Sequence, residues 1–391
     1  MSSSDILSKI YNLSSDVIKS LEKVYQNDLK KVLQALKTPG KRYYFRVNTL
    51  KADLNKVFKS LRNKGFQVEM DENISEAFYV TVEGPFNIPF FNKRLVVDKF
   101  TAESVLQGAN VYAPGVINCK GIKIGDKVTI VDEFGQDVGS GVARMSETQI
   151  LQLRKGLAVQ LLYPKYKIPS FRETEEYKKG LIYPQSFPAI LTSRILEPKP
   201  GEKILDVCCA PGGKLSHIIQ LMENKGLVIG VDRNKKKIET TMKNLNRLGC
   251  KIATLIIHDS RYIDVDFPSL KVDKCLVDPP CSALGVTPKL FDFTSIRKIL
   301  DLSNYQKQFI KSVSKILKLN GILVYSVCTM TIEECEEIAR FAEDECSLKI
   351  ESQNFFLGSH GINIFLNAEK LQRFHPHIHG LGYFIAKFRK S

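Results

Sequence analysis

Apolar and polar positions divide the 391-residue chain into three stretches with different patterns. In the first, apolar residues recur at helical spacing in three segments, 6–17, 18–36 and 53–63, the last with Asp53 as a plausible N-cap. Short extended runs follow or separate these segments at 43–48, 67–70 and 78–82. The pattern predicts an N-terminal α+β domain over residues 1–92.

Residues 93–167 have a different pattern, in which short β-type runs alternate with glycine-containing turns. The runs predict strands at 95–97, 111–112, 127–132, 138–144 and 157–162. One short helix is expected at 101–107. This stretch is therefore predicted to be a small, mostly β barrel.

From residue 168 onward, apolar runs of strand length alternate with helical segments. Strands are predicted at 203–207, 227–232, 252–258, 274–278 and 322–328. Helices between them, for example 235–248 and 296–317, indicate a parallel sheet with right-handed crossovers. A last strand at 382–389 is expected to close an antiparallel edge. The predicted fold class is α/β, with a Rossmann-like, doubly wound domain following the α+β domain and an inserted barrel.

Composition narrows the class of protein. Hydrophobic residues make up 43% and charged residues 25%, which is ordinary for a globular protein, and no apolar run approaches the length of a membrane span. The N-terminus lacks a basic segment followed by an apolar core, so no secretory signal is expected. The nine cysteines are an odd number and form no C-x-x-C pair. They predict a reducing, cytoplasmic compartment.

The formal net charge of +15 favours a polyanionic partner, with nucleic acid the first candidate. The basic excess is spread along the chain instead of being clustered in one segment. An extended nucleic-acid footprint explains that distribution, and a lysine-rich solvated surface is the alternative.

The segment KILDVCCAPGGKLSHI, residues 203–218, predicts a strand, a tight turn and a helix. Glycines in the turn Ala210–Gly213 let the backbone pass close to a ligand, because glycine has no Cβ. The helix that starts near Lys214 points its amide groups at that ligand. No G-x-G-x-x-G fingerprint is present, which disfavours a nicotinamide cofactor.

Aspartates end three further strands of the predicted sheet. Asp232 could accept hydrogen bonds from ribose hydroxyls, Asp259 could meet an adenine amino group, and Asp278 ends the fourth strand. Each could instead cap the helix that follows. Taken together with the glycine turn, they predict a site for a nucleoside with a cationic tail, such as S-adenosyl-L-methionine.

Two cysteines follow buried parallel strands: Cys281 in LVDPPCSALG and Cys328 in VYSVCTMT. A thiolate that adds to carbon 6 of cytosine makes carbon 5 nucleophilic enough to attack a methyl sulfonium. A second thiol can then assist release of the enzyme, and Asp278 could donate to ring nitrogen 3 when protonated or hold the amino group. The alternative, two buried cysteines acting as small hydrophobes, is disfavoured by the flanking Asp278-Pro279-Pro280 and Thr329.

Other reactive residues are given structural explanations. The sequence predicts that Cys335 is inert on a helix and that four more cysteines are buried small hydrophobes, namely Cys208, Cys209, Cys275 and Cys346. His375–His379, H-P-H-I-H, has no cysteine or acidic partner at ligand spacing. No metal site is predicted there, and a loop beside the last strand is expected.

Several of these stretches resemble the Sun-domain, RsmB-like RNA cytosine-5 methyltransferases: DVCCAPGGK (206–214), DRN (232–234), DPPCSALG (278–285) and SVCT (326–329), with RVNTLK (46–51) and GYFIAKF (382–388). The resemblance covers nearly the whole chain. It implies that Cys328 is the covalent nucleophile and Cys281 aids product release, with Asp278 and Lys214 also catalytic. It implies a cofactor site formed by Cys208, Cys209, Ala210, Pro211, Gly212, Gly213, Lys214, Asp232, Asp259 and Asp278.

The middle segment resembles a PUA domain, an RNA-binding barrel, in VLQGANVYAPGV (105–116) and GIKIGDKVTIVDEFGQDVGSGVARMS (121–146). A PUA domain at this place is characteristic of the branch that methylates cytosine 72 of the tRNA acceptor stem. The resemblance implies that it grips the CCA end, with Tyr112 and Asn110 as substrate contacts. Two positions depart from the pattern: Gln107 stands where an arginine is common, and Val327 where the family has threonine.

The resulting hypothesis has three domains, over 1–92, 93–167 and 168–391, in a monomer that binds S-adenosyl-L-methionine and tRNA and forms 5-methylcytosine. Two alternatives stay open. The substrate could be ribosomal RNA, as in other branches of the family, or the chain could be an RNA-binding protein without catalytic activity.

Overall fold

A computed structural model describes residues 3–391 of the protein. In the N-terminal unit (residues 3–92), helices α1–α4 span Ser3–Tyr11, Ser15–Tyr25, Leu29–Leu36 and Leu54–Asn63, and strands β1–β3 span Arg42–Val47, Val68–Met70 and Ala77–Thr81. The Asp53 carboxylate accepts from the Lys56 amide and caps α4, as predicted. The predicted helix over 18–36 is instead two helices, because the chain turns at Gln26, whose φ is +42°.

In the barrel unit (residues 93–167), the elements in chain order are β4 (Lys93–Val97), α5 (Lys99–Leu106), β5 (Val111–Tyr112), β6 (Val116–Asn118), β7 (Lys127–Val131), β8 (Asp137–Ala143), α6 (Glu147–Leu153) and β9 (Leu157–Pro164). They form one sheet of order β5-β9-β8-β7-β4-β6. Its two end strands are joined only by Ala113–Gly115, so the sheet curves into a nearly closed barrel. A Cβ at Gly115 would lie 1.9 Å from Thr101 Oγ1, so only glycine fits in this turn.

The sequence-based prediction missed β6 and α6. Strand β6 has three residues, too few for a period-2 pattern. Helix α6 does carry a signal, because Ser146 and Gln149 form a capping box in which each side chain bonds the other's backbone.

The α/β unit (residues 168–391) contains helices α7–α14 at Glu175–Lys178, Phe187–Ile195, Gly213–Leu221, Lys235–Leu248, Ile263–Asp266, Ile296–Ile316, Glu336–Glu345 and Pro376–His379. Its strands β10–β19 are Ile182–Pro184, Lys203–Asp206, Leu227–Asp232, Ala253–Ile257, Val272–Val277, Leu317–Val327, Leu348–Ile350, Ser359–His360, Gln372–Phe374 and Tyr383–Lys390. Nine of these strands form one sheet of order β13-β12-β11-β14-β15-β19-β18-β17, in which β16 also pairs with β19. Strands β11 to β15 are parallel.

Both faces of the parallel strands are covered, as a doubly wound fold requires. Leu205 of β11 belongs to one buried core, on the side of α12 and α13. Its neighbour Ile204 belongs to the opposite core, on the side of α8 and α9. Because successive strand residues point to opposite faces, a near-continuous apolar run supplies both cores. The predicted α/β fold with its parallel sheet is confirmed.

The last strand differs from its prediction. Strand β19 runs antiparallel to β15, as expected, with Val324 opposite Lys387. It does not close an edge, because β16 and β18 pair along its other side. These strands have three residues each and carry no alternating signal. The expected loop at His375–His379 is also wrong, since Pro376–His379 form the short helix α14.

The N-terminal unit and the α/β unit share a sheet. Strand β10 pairs with β1, with Phe45 opposite Pro184, in a four-stranded sheet of order β10-β1-β3-β2. Residues 182–184 lie in the predicted third domain yet complete the first sheet. The predicted boundaries at 92/93 and 167/168 stay predictions. Within residues 3–391, no helix is long and apolar enough to cross a membrane.

Replacing Arg373 by Ala is expected to destabilise the α/β unit strongly. Arg373 of β18 is ion-paired with Glu336 of α13, and the two side chains are 2% and 0% exposed. Without the guanidinium, a carboxylate remains buried and unpaired, which costs about 3–5 kcal/mol. Thermal unfolding should show a clearly lowered midpoint.

The matched control is Arg340→Ala, which breaks the exposed pair of Arg340 with Asp344. Exposed pairs contribute about 1 kcal/mol or less, so its midpoint should stay near that of the wild type. Equal shifts in the two variants would contradict the structural importance assigned to Arg373.

Candidate active site

Two neighbouring parallel strands end at the same edge of the sheet. Strands β14 and β15 pair with Val277 opposite Tyr325, and Asp278 and Cys328 follow their last residues. The chain after β14 turns back at Pro279-Pro280, so that Cys281 Sγ lies 3.5 Å from Cys328 Sγ. The structure therefore brings together the two thiols that the sequence places 47 residues apart.

Lys214 and Asp278 form an ion pair beside the thiols. Lys214 Nζ lies 2.6 Å from Asp278 Oδ2, and Ser326 Oγ donates to Asp278 Oδ1 at 2.8 Å. The Tyr383 hydroxyl also points to Oδ1, at 3.5 Å. Burial by itself would lower the pKa of Lys214, but the charges and hydrogen bonds of Asp278 and Tyr383 together outweigh burial, and the pKa is raised. Lys214 is thus a lasting positive charge next to the thiol pair.

The two thiols have different environments although they touch. The hydrogen bond from Cys281 lowers the pKa of Cys328, and the charges of Lys214 and Lys289 act in the same direction, against burial and Asp278. The same hydrogen bond and burial raise the pKa of Cys281. Of the two, Cys328 is the one whose neighbouring charges favour a thiolate.

The predicted glycine turn forms the wall of a cavity next to this pair. Gly212 has φ +98°, in the left-handed region, and α9 begins at Gly213 with its amides facing the turn. A cavity of about 170 Å³ is lined by Tyr183, Gln185, Ala189, Asp206, Cys208, Cys209, Ala210, Pro211, Gly213, Lys214 and Asp278. A close backbone approach, helix amides and carboxylates together fit a nucleoside cofactor with a cationic tail.

A larger cavity of about 410 Å³ lies elsewhere, between the N-terminal unit and α8, and its lining includes Leu54, Asp71 and Arg194. Its lining contains no residue of the glycine turn and neither Lys214 nor Asp278, whereas the glycine turn, Lys214 and Asp278 all contribute to the lining of the smaller cavity. We therefore assign the chemistry to the smaller cavity.

The other two predicted cofactor aspartates lie outside the lining of the smaller cavity. Asp232 ends β12, the neighbour of β11, and its Oδ1 accepts from the Asn234 amide at 2.9 Å. The Asp259 carboxylate is held by the Arg261 guanidinium, with Nη2 2.6 Å from Oδ2, and this hydrogen bond lowers the pKa of Asp259. An adenine contact by Asp259 would share the carboxylate with Arg261.

Most of the cysteines given structural explanations are buried. Cys209, Cys275 and Cys346 are at most 5% exposed, and Cys208 is partly exposed next to the cavity. Cys335 is fully buried. The prediction that it lies on a helix is wrong, because Cys335 directly precedes α13.

Sequence reasoning missed Asp206, which ends β11 and lines the cavity. Its side chain is buried, and burial together with the charge of Asp278 raises its pKa to about 7. A signal existed, because Asp206 ends a strand just as Asp232 and Asp278 do. Tyr183 and Gln185, which also line the cavity, come from the region of β10, and no sequence pattern connects that region to the glycine turn.

The N-terminal unit holds helix α9 in place through two buried charges. Arg46 of β1 donates to Ser216 Oγ at 2.9 Å and to the Gly213 carbonyl at 3.5 Å. Glu76 lies 3.0 Å from His217 Nε2 and is also ion-paired with Arg194. Burial and the nearby Arg46 lower the pKa of His217 to about 4. Arg46, the first residue of the RVNTLK segment, thus holds the first turn of α9, which directly follows the glycine turn.

The two predicted RNA contacts of the barrel lie two residues apart and differ in exposure. Tyr112 is 56% exposed on β5 and is free to meet a partner. Asn110 is partly buried, and its Oδ1 accepts from the Leu161 amide at 2.9 Å, so it links β5 to β9. At the position where an arginine was expected, Gln107 Nε2 donates to the Glu103 carbonyl at the end of α5.

Two segments match known families. Residues 193–389 match the family described as 16S rRNA methyltransferase RsmB/F, and residues 93–162 match the PUA domain. The first match includes both thiols, the glycine turn and the three strand-ending aspartates 206, 232 and 278. The second covers most of the barrel unit.

Whole proteins and structures are similar over nearly all of the chain. The tRNA (cytosine(72)-C(5))-methyltransferase of Pyrococcus horikoshii is 41% identical, over 95% of this chain and 96% of that protein. The human tRNA (cytosine(72)-C(5))-methyltransferase NSUN6 is 30% identical, over 84% of this chain and 76% of that protein. A crystal structure of NSun6 from Pyrococcus horikoshii with SFG has a TM-score of 0.91 at 40% identity and covers 97% of this chain and 99% of that one.

Asp206→Asn is expected to stabilise the protein increasingly as pH rises from about 4 to about 7. The raised pKa means that folded Asp206 holds a proton that the unfolded chain releases near its ordinary pKa of about 3.9. The group therefore lowers the stability of the wild type as pH rises through this window, and an asparagine does not. The difference in thermal midpoint, variant minus wild type, should grow between about pH 5 and about pH 8.

Asp273→Asn provides the control. Burial alone would raise the pKa of Asp273, but its hydrogen bonds from Lys318 and the Lys203 amide hold the pKa below its usual value. Its effect on the midpoint should therefore be constant over the same pH range. A flat or shrinking difference for Asp206→Asn would contradict the assigned burial of that carboxyl.

Proposed function

The chain belongs to the RsmB/F methyltransferase family, and we propose that it transfers a methyl group from S-adenosyl-L-methionine to carbon 5 of cytosine 72 in the acceptor stem of tRNA. The observation that carries the proposal is the thiol pair, Cys281 and Cys328, 3.5 Å apart beside the ion pair of Lys214 and Asp278. A thiolate can add covalently to a pyrimidine ring, and a second thiol in contact with it can assist release, so this pair suits covalent methylation of a pyrimidine carbon.

The cofactor would be held by the glycine turn and the strand-ending carboxylates. Bound S-adenosyl-L-methionine supplies an electrophilic methyl group on a positively charged sulfur. Residues Cys208–Lys214 give the close backbone approach and the helix amides, while Asp206 and Asp232 give acceptors along the neighbouring strand ends. Asp259 serves as a further acceptor while it is ion-paired with Arg261.

Cys328 acts as the nucleophile. Its thiolate adds to carbon 6 of the flipped-out cytosine to form a sulfur–carbon bond, and the electron pair of the carbon 5–carbon 6 double bond moves to carbon 5. Carbon 5 would then take the methyl group as the methyl–sulfur bond of the cofactor breaks, leaving a neutral thioether. Lys214 places a positive charge beside the thiolate and the ring. Both oxygens of Asp278 accept hydrogen bonds from protein donors, which suits it to accept also from the cytosine amino group.

Cys281 aids release of the product. After transfer, carbon 5 loses its proton to solvent, the double bond to carbon 6 reforms, and the sulfur of Cys328 leaves as a thiolate. Cys281 is the thiol in contact with that leaving sulfur, and its raised pKa keeps a proton available next to it. The two cysteines thus have separate tasks in one cycle.

Transfer RNA is the substrate that the whole chain favours. The relatives that act on cytosine 72 of tRNA align with the N-terminal unit and the barrel as well as with the α/β unit. The barrel exposes Tyr112, an aromatic side chain able to stack on an unpaired base of the CCA end. The net charge of +15 suits the phosphate backbone.

We further propose that the protein works as a monomer in a reducing, cytoplasmic environment. All nine cysteines are free thiols in the structure, and the mechanism needs two of them reduced. One chain carries the thiol pair, the glycine turn and the barrel, so a second copy is not needed to complete the site.

Incubating the protein with tRNA and methyl-labelled cofactor should place the label on carbon 5 of cytosine 72, which bisulfite sequencing with and without the enzyme would locate. A ribosomal RNA fragment in the same assay should stay unlabelled. Label on the ribosomal fragment alone would favour the substrate class that names the family. Label on neither RNA would contradict the proposed activity.

Cys281→Ala is expected to accumulate a covalent complex with tRNA, because addition by Cys328 continues while release is slowed. Cys281→Ala/Cys328→Ala should form none. A denaturing gel, on which the adduct migrates more slowly than free protein, measures both. Cys346→Ala is the control, since this buried thiol lies outside the site. An adduct that survives loss of Cys328 would reverse the two roles.

A further inference from the structure

One buried carboxylate joins the two cysteine-bearing segments. Glu334 is fully buried in the turn between Cys328 and α13. Its Oε1 accepts from the amide of Ser282, the residue after Cys281, at 2.9 Å. Its Oε2 accepts from the hydroxyls of Thr331, at 3.2 Å, and of Thr329, the residue after Cys328, at 3.5 Å. A single side chain therefore holds both segments that carry the thiols.

Two further contacts tighten this arrangement. Ser282 Oγ and Thr329 Oγ1 are 2.6 Å apart, so the residues after the two cysteines also bond each other. Gln306 of α12 donates to Glu334 Oε1 at 2.9 Å and to the Pro280 carbonyl at 3.0 Å. A buried network in which every member has partners is rigid, and it fixes the distance between the two sulfurs.

The charges around the thiol pair are placed unevenly. The carboxylate of Glu334 accepts from the backbone amide after Cys281 at 2.9 Å and only at 3.5 Å from the hydroxyl of Thr329, the residue after Cys328. Lys214 and Lys289 act on Cys328, against the charge of Asp278. The hydrogen bond to Cys328 and burial raise the pKa of Cys281, and the negative charge of Glu334 adds to that rise. A carboxylate therefore lies near each thiol, Glu334 near Cys281 and Asp278 near Cys328, but the lysines act on Cys328, and this difference distinguishes two chemically identical groups.

We propose that Glu334 is a positioning residue that decides which thiol is the nucleophile. Its carboxylate keeps Cys281 protonated, as the hydrogen-bond donor of the pair, and so leaves Cys328 as the reactive thiolate. The catalytic use of this preference rests on the proposed function. The preference itself is a property of the free protein and is tested without RNA or cofactor.

The test is alkylation of the full-length protein by iodoacetamide, with the label at each cysteine quantified by peptide mass spectrometry. The thiolate attacks the methylene carbon, a sulfur–carbon bond forms and iodide leaves, so the rate follows the thiolate population of each cysteine. In the wild type, Cys328 should react at least about tenfold faster than Cys281 near neutral pH.

Glu334→Gln removes the charge and keeps the size of the side chain. It should reduce the preference for Cys328 by about threefold or more, and should move alkylation of Cys281 to lower pH. Glu333→Gln is the matched control. Glu333 is a buried neighbour whose Oε1 accepts from Lys23 of α2, so loss of its charge should leave the preference unchanged.

A purely structural role predicts a different result. If Glu334 only held the segments together, Glu334→Gln would increase the reactivity of both thiols equally, and the unchanged preference would overturn the proposal. Thr331→Val removes one hydrogen bond to Glu334 but keeps the charge, and it tests the idea even if Glu334→Gln does not fold. The wild-type preference should persist in Thr331→Val, and its loss there would also overturn the proposal.

The outcome is separable from that of the methylation assay. Alkylation as expected without methylation of tRNA would contradict the proposed substrate and leave the role of Glu334 intact. Methylation of cytosine 72 with equal alkylation of both thiols would support the proposed substrate and overturn the role of Glu334.

Discussion

The parallel pairing of β14 with β15 is the constraint on which the site depends. The register that sets Val277 opposite Tyr325 places Asp278 beside Ser326, whose hydroxyl donates to Asp278 Oδ1 at 2.8 Å. Strand β15 continues to Val327, so that Cys328 follows just beyond Asp278 at the same edge of the sheet. Only then can the turn after Asp278 bring Cys281 to Cys328. A shift of one residue would turn the side chains of β15 to the other face, because the period of a strand is two. Such a slip would move the residues of β15 that pack in one core into the other core, so the register is strongly specified.

The other two units act on this edge from outside the sheet. The segment after Cys281 meets both: the Lys289 amide donates to the Leu36 carbonyl at the end of α3, and the Leu290 amide donates to Glu103 of α5 at 3.0 Å. Lys99 of the barrel adds an ion pair with Asp292 at 3.1 Å. The N-terminal unit and the barrel therefore also shape the segment that follows Cys281.

Buried charge is used here to set geometry and not to add stability. Pairs such as Lys214 with Asp278, and the carboxylate of Glu334 with its four donors, cost desolvation that their attraction largely offsets. In return, each pair specifies a single arrangement of nearby groups. Around the thiols this arrangement breaks a symmetry that two identical side chains would otherwise have.

Local patterns in the sequence determined the order of elements, the parallel sheet and the residues at its strand ends, since periodicity reports directly which positions are buried. The motifs around Gly213, Cys281 and Cys328 identified the chemistry through resemblance. Only the tertiary structure decided the contacts between distant segments. These contacts are the place of β10 in the first sheet, the partners of β19, the position of Asp206 in the cavity, and the bonds of Glu334 to the residues after the two thiols. A pattern within one segment carries no information about which other segment will face it. Resemblance assigned the two cysteines different roles, but only the facing segments supply the charges that act differently on Cys328 and Cys281.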